Sequence, residues 1–170
     1  MEAQATSRTI FLPAWQATAA PDTTAASNWP PLVAVQAVDE MFADLDTDTL
    51  DAIRMAAGEL AENVVKFGEQ IDGVTGQVVI SRTADEVEIR TANRLSDTSR
   101  AEALSERLRR IGAMSDVGAQ FVDRVAAIME GPEEQSTALG LLRIAYEGLF
   151  RLSCTYADAT MTVVAARSIR

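Results

Sequence analysis

The chain has 170 residues, with 15 Lys and Arg against 25 Asp and Glu and a formal charge of −10. That length is one ordinary domain with room for a real core, and an acidic balance with no offsetting basic cluster argues against nucleic acid or anionic lipid as partners. Histidine is absent and Cys154 is the single cysteine, which excludes His-ligated zinc, a Ser-His-Asp triad, a phospho-accepting histidine and an internal disulfide framework.

No apolar run is long enough to span a bilayer, and the N-terminus carries no basic segment followed by an apolar one. The sequence therefore reads as cytoplasmic and non-membrane, with Cys154 a packed thiol in a reducing compartment. Residues 1–31 read as an N-terminal arm. Within it Thr9-Ile10-Phe11-Leu12 can add one edge strand, which Pro13 stops. Residues 17–27 have a linker-like composition of Ala, Thr, Ser, Asp and Pro, flanked by Trp15 and Trp29.

The body of the chain is expected over 32–170. Pro30-Pro31 opens a first helix whose apolar face is Leu32, Val35, Val38, Met41, Phe42 and Leu45. Asp46-Thr47-Asp48 supplies capping residues for a second, longer helix. Its apolar face is Leu50, Ile53, Ala57, Leu60, Val64 and Phe67, and Gly68 ends it. A loop with Gly73 and Gly76 leads to a hairpin. Residues 77–83 alternate with Val78 and Ile80 on one face, Ala84-Asp85 turns, and residues 86–91 alternate with Val87 and Ile89 inward.

Two helical patterns follow, one marked by Ala103, Leu104, Leu108 and Ile111, the other by Val117, Phe121, Val125 and Ile128 behind a Ser115-Asp116 cap. Residues 131–136 form an acidic loop, and residues 139–146 read as a helix. Phe150, Leu152, Cys154 and Tyr156 alternate as a strand, with residues 161–165 as its partner across an Ala157-Asp158 turn. Antiparallel strand pairs in blocks separated by helices predict an α+β two-layer sandwich, with helices on one face of a mostly antiparallel sheet.

The second helix carries a polar ridge beside its apolar one: Glu59, Asn63 and Lys66 are spaced i, i+4, i+7. A carboxylate, a carboxamide and an ammonium on one ridge can hold a metal ion and the phosphates attached to it. An ordinary surface helix presents the same stripe, and Glu62 with Lys66 makes the usual i, i+4 ion pair.

Glu59-Leu60-x-x-Asn63-x-x-Lys66-x-Gly68 resembles the N-box of the GHKL (histidine kinase-like) ATPase superfamily, whose fold is the Bergerat-type two-layer sandwich. The resemblance covers roughly 32–166. It implies Asn63 as the Mg²⁺ ligand, Glu59 as the catalytic group that orients or deprotonates the attacking hydroxyl, and Lys66 as a phosphate contact. A single protein oxygen suffices for Mg²⁺, which keeps its waters and draws on phosphate. Ser136-Thr137-Ala138-Leu139-Gly140-Leu141 resembles the family's second glycine box, implying that Thr137, Leu139 and Gly140 lie against the nucleotide at a helix N-terminus. The chain departs from the pattern in two places. The family's Asp-x-Gly-x-Gly, expected after the 86–91 strand, is replaced by Ala92-Asn93-Arg94-Leu95, where Asn93 or Asp97 would have to serve the base. The second box has Ser136 and Ala138 where the family has glycine.

In layout the chain is closest to the SiaB-like and anti-sigma-factor Ser/Thr kinases. The resemblance thus implies ATP and Mg as cofactors, and a small regulatory protein, such as an anti-sigma antagonist, as the phosphorylated partner. The alternative is a degenerate GHKL fold that regulates by docking without ATP. Either form allows a homodimer.

Overall fold

A computed structural model describes residues 5–13, 29–114, 116–119, 121–123 and 136–170. Five strands form one antiparallel sheet. In chain order they are β1 (Thr6–Pro13), β2 (Val74–Arg82), β3 (Glu86–Arg94), β4 (Arg151–Ala157) and β5 (Thr160–Ser168). They lie side by side as β1-β2-β3-β5-β4. The helices are α1 (Pro30–Met41), α2 (Thr47–Phe67), α3 (Thr98–Ala113) and α4 (Ser136–Tyr146), with further helical turns at 117–119 and 121–123. The architecture is the predicted α+β sandwich with helices on one face.

Strand parity decides which side chains meet the helices. Ile10 and Leu12, Val78 and Ile80, Val87 and Ile89, and Met161, Val163 and Ala165 are all buried on one face. The predicted edge strand of the arm is therefore part of the sheet, paired with β2 from Thr6 opposite Arg82 to Pro13 opposite Val74. The β4–β5 hairpin turns through Asp158 and Ala159, both with positive φ, which matches the right-handed twist of the strands.

Helix α2 runs through the middle of the helical layer, packed on β1, β2 and β3 and flanked by α1 and α4. Its buried stripe is Ala52, Ile53, Ala56, Ala57, Leu60, Ala61 and Val64, and the alanines allow close approach to its neighbours. Leu50 and Phe67, at its two ends, are half-buried. Asp46 caps it by accepting a hydrogen bond from the Thr49 N–H at 2.9 Å. Asp46→Ala should lower the melting temperature by about 2–4 °C, the usual loss for a removed N-cap in a domain of this size. Its hydrogen bond to Thr49 holds the Asp46 carboxyl below its ordinary pKa. The contribution is therefore present above the unfolded-state pKa and disappears as pH falls through the folded one. Thermal melts at neutral and strongly acidic pH should show the two proteins converging in acid.

Three expectations need correction. The buried face of α1 is Pro30, Pro31, Ala34, Ala37 and Val38, continued by Phe42, whereas Leu32 is exposed and Val35 only half-buried. This helix is apolar almost all round, so its phase is set by packing against α2 and β1. Gly76 belongs to β2 and not to a loop: a Cβ there would come 2.6 Å from the Ala92 carbonyl oxygen and from Val64 Cγ1. In α3 the buried alanine is Ala101, while Ala103 faces solvent. Gly68 does end α2, but in extended backbone at φ −73° and not in the left-handed form. Glycine is needed because a Cβ would sit 2.6 Å from the carbonyl oxygens of Thr75 and Val64.

Asp116 caps the helical turn after α3 by accepting from the Ala119 N–H at 2.9 Å. Trp15, Ser115, Val125, Ile128 and residues 131–135 lie outside the described residues. No described helix is long and apolar enough to cross a membrane. Cys154 is a free, half-buried thiol on the helix-facing side of β4, packed against the core.

Candidate functional site

The polar ridge of α2 meets two different spaces. Asn63 lines a small cavity of about 50 Å³ between α2, the ends of β3 and β5, α3 and α4, bounded by Leu60, Thr91, Asn93, Leu104 and Leu141. Glu59, one turn earlier, lines an open groove of about 370 Å³ on the other side of the ridge, between α1, α2 and α4. Lys66 is 48% exposed and makes a 2.5 Å ion pair with Glu62. It lines neither space, so the fold brings Asn63 and Asn93 together and leaves Lys66 on the surface.

Glu59 is half-buried against α4. It is 27% exposed and lies beside Gly140 in the first turns of α4, where a Cβ would come 2.5 Å from Glu59 Oε2. Glycine at that position lets the carboxylate reach the helix backbone. Arg143, three residues on, places Nη1 3.4 Å from Glu59 Oε1, while its Nε donates to Glu147 Oε2 at 2.7 Å. Burial, reinforced by the neighbouring Glu62 charge, raises the Glu59 pKa above its ordinary value, against the pull of Arg143 and Lys66. A half-buried carboxylate of raised basicity beside open space can accept a proton or orient a hydroxyl.

The β3 end of the cavity is pinned. The strand does not give way to a glycine loop after residue 91 but continues to Arg94. The Leu95 N–H donates to the Ala159 carbonyl and the Leu95 carbonyl accepts from the Tyr156 hydroxyl, both at 2.8 Å. The Glu69 N–H donates to the Arg94 carbonyl at 3.0 Å, and the Glu69 carboxylate accepts from the Ser96 N–H at 2.6 Å. Asn93 faces the cavity with its amide nitrogen 3.3 Å from the Arg94 carbonyl. Asp97, the other residue considered for the base, is committed to capping α3 through the Arg100 N–H at 3.1 Å.

Sequence reasoning missed Thr91, which is 2% exposed and lines the same cavity. Its signal was strand parity: Val87, Ile89, Thr91 and Asn93 alternate to one face. It also missed Arg143, whose i+3 spacing from Gly140 puts it over Glu59. Leu139 is half-buried and Gly140 buried, and Thr137 lies in the first turn of α4 with its side chain outside the described residues.

The donor chemistry suits a nucleotide in part. Asn63 offers one amide oxygen, and among the described residues no group of three or more acidic or cysteine side chains gathers to hold a metal. A Mg²⁺ ion here would draw its remaining ligands from phosphate and water, which is its habit. Thr91 and Asn93 give the apolar cavity a polar edge. The room does not suit a base: about 50 Å³ admits a few waters, and a purine would need Leu104 and Leu141 to withdraw. Comparison with protein-family models and with curated proteins finds no match to this chain.

Proposed function

We propose that this chain is a regulatory GHKL-type switch that binds Mg-ATP and phosphorylates a Ser or Thr of a small partner protein. The observation that carries the reading is the join of two sequence boxes in space: Glu59 of α2 packs on Gly140 of α4, with Asn63 one turn away on a cavity edged by Thr91 and Asn93. In this reading Asn63 would offer its amide oxygen to Mg²⁺, and Thr91 and Asn93 would face the base edge once Leu104 and Leu141 withdraw to make room. Bound Mg-ATP supplies the phosphoryl group. Glu59 receives the acceptor hydroxyl's hydrogen bond, and Arg143 orients that carboxylate from α4. Catalysis of this kind rests on positioning and charge.

A second reading is favoured by the cavity volume and by a lining in which Thr91 and Asn93, and no carboxylate, supply the polar edge. It takes the chain as a docking module that regulates without ATP. Thermal melting with and without millimolar Mg-ATP separates the two. Ligand at about 100 times its dissociation constant stabilises by roughly 2.7 kcal/mol, or a rise of about 5–10 °C in a domain of this size. The rise should require Mg²⁺ and vanish in Asn63→Ala. An unchanged melt at every concentration would leave the docking module as the function.

A further inference from the structure

Bases are the scarcer charge in this chain, 15 against 25 acids, yet two arginines stand without an acid beside them. Among the described residues every other Lys and Arg lies within ion-pairing distance of a carboxylate. The one exception is Arg167, which donates to the Gly148 carbonyl at 3.1 Å. The two left over are Arg100 and Arg107, both exposed and both on α3. Glu106, the acid next to Arg107, is already taken: it accepts from Arg109 Nε at 2.8 Å and from Arg110 Nε at 2.7 Å.

Arg100, Leu104 and Arg107 are spaced i, i+4, i+7, so they share one ridge of α3, with Leu104 between the two guanidinium-bearing positions. Leu104 lines the Asn63 cavity. So does Phe67, and the Arg100 guanidinium stands over its ring, 5.8 Å from the centroid. The ridge therefore borders the cavity, and the step from Arg100 to Arg107 runs about 10 Å along the helix axis. A lone carboxylate meets one guanidinium across such a span, whereas linked phosphates can meet both, each through paired N–H···O bonds. A protein of net charge −10 repels a polyanion at long range, so a local edge of unneutralised charge is what such a ligand needs. Lys66, the expected phosphate contact, is held by Glu62 at 2.5 Å and does not supply it. We propose that Arg100 and Arg107 hold the linked phosphates of the nucleotide whose other end enters the Asn63 cavity. The word nucleotide rests on the Mg-ATP reading; the affinity for linked phosphates rests on the two arginines.

The probes are inorganic triphosphate in EDTA and ATP with Mg²⁺, each titrated by calorimetry into the full chain at low salt. Triphosphate should bind saturably, and at least tenfold more weakly in Arg100→Gln and in Arg107→Gln. Arg107→Gln alone decides the matter should Arg100→Gln disturb the packing of Phe67. Arg109→Gln removes the same charge from another flank of α3 and should bind triphosphate as the wild type does. Absence of triphosphate binding, wild-type affinity in the Arg100 and Arg107 variants, or an equal loss in Arg109→Gln overturns the proposal, the last because net charge alone would then explain the effect. The two readings fail separately. If triphosphate binding depends on the arginines but Mg-ATP gives no melting shift that Asn63→Ala removes, the kinase reading falls and the phosphate edge stands. If Mg-ATP gives that shift and both arginine variants keep full ATP affinity, the edge falls and the kinase reading stands.

Discussion

Glu59→Gln should make the protein more stable at neutral pH and, under the proposed kinase reading, nearly inactive. The Glu59 pKa is raised chiefly by burial, so in the window between its unfolded and folded values the folded state binds more protons than the unfolded one. Stability therefore falls as pH rises through that window, and at pH 7 the wild type carries the whole cost of an ionised, half-buried carboxylate. Glutamine keeps an oxygen for Arg143 and removes the charge. On that reading, phosphoryl transfer to a serine partner should drop by about 10²–10⁴, the range for a lost general base. The checks are melting curves across pH 4–8 and a radiolabel transfer assay on the same preparations. A variant that melts lower than wild type at pH 7 would mean that the Arg143 contact outweighs desolvation.

The second large effect is on folding. Gly76 sits in β2 directly under α2, and a Cβ there would stand 2.6 Å from the Ala92 carbonyl oxygen, 2.6 Å from Val64 Cγ1 and 2.9 Å from Asn93 Cβ. A backbone carbonyl in the middle of the sheet cannot step aside as a surface side chain can. Gly76→Ala should cost about 2–3 kcal/mol, at the upper end of overpacking penalties, and lower the urea midpoint by about 1 M. Gly112 in α3 is the control. Nothing lies within 4 Å of a Cβ built there, so Gly112→Ala should gain up to about 1 kcal/mol from helix propensity. Equal midpoints for the two variants would show that the sheet does not press on α2 at Gly76. Because Val64 and Asn93 are the neighbours displaced, Gly76→Ala should also disturb the cavity that Asn63 lines.

How much of this was legible depended on how many answers a local pattern allows. Alternation over 77–83 and 86–91 leaves one inward face, and Val78, Ile80, Val87 and Ile89 are buried as read; the alternating 161–165 buries Met161, Val163 and Ala165. The Asp46 cap was equally plain, because a carboxylate before a helix has a fixed partner three residues on. Helix α1 was not, since Leu32, Val33, Ala34 and Val35 are all apolar and a 100° step through them gives several acceptable faces. The loop assigned around Gly76 failed for a related reason. Glycine marks turns and close approaches alike, and only the position of α2 tells which.

The candidate site divides along the same line. The spacing of Glu59, Asn63 and Lys66 put all three on one ridge, but a ridge has two sides, and neighbouring elements decide which space each side chain enters. Asn63 looks into a cavity closed by β3, α3 and α4, Glu59 into a groove opened by α1, and Lys66 into solvent. Thr91 and Arg143 lie 28 and 84 residues from Asn63 and Glu59 and meet them only after the sheet has paired and α4 has docked. The elements, their order, the inward face of the hairpin strands and the ridge of polar side chains were readable locally, because each follows from hydrogen bonds and periodicity within about ten residues. Which polar groups share a space, how small the cavity is, and that a carboxylate leans on Gly140 were decided by tertiary packing, because these depend on distances between segments that no local period encodes.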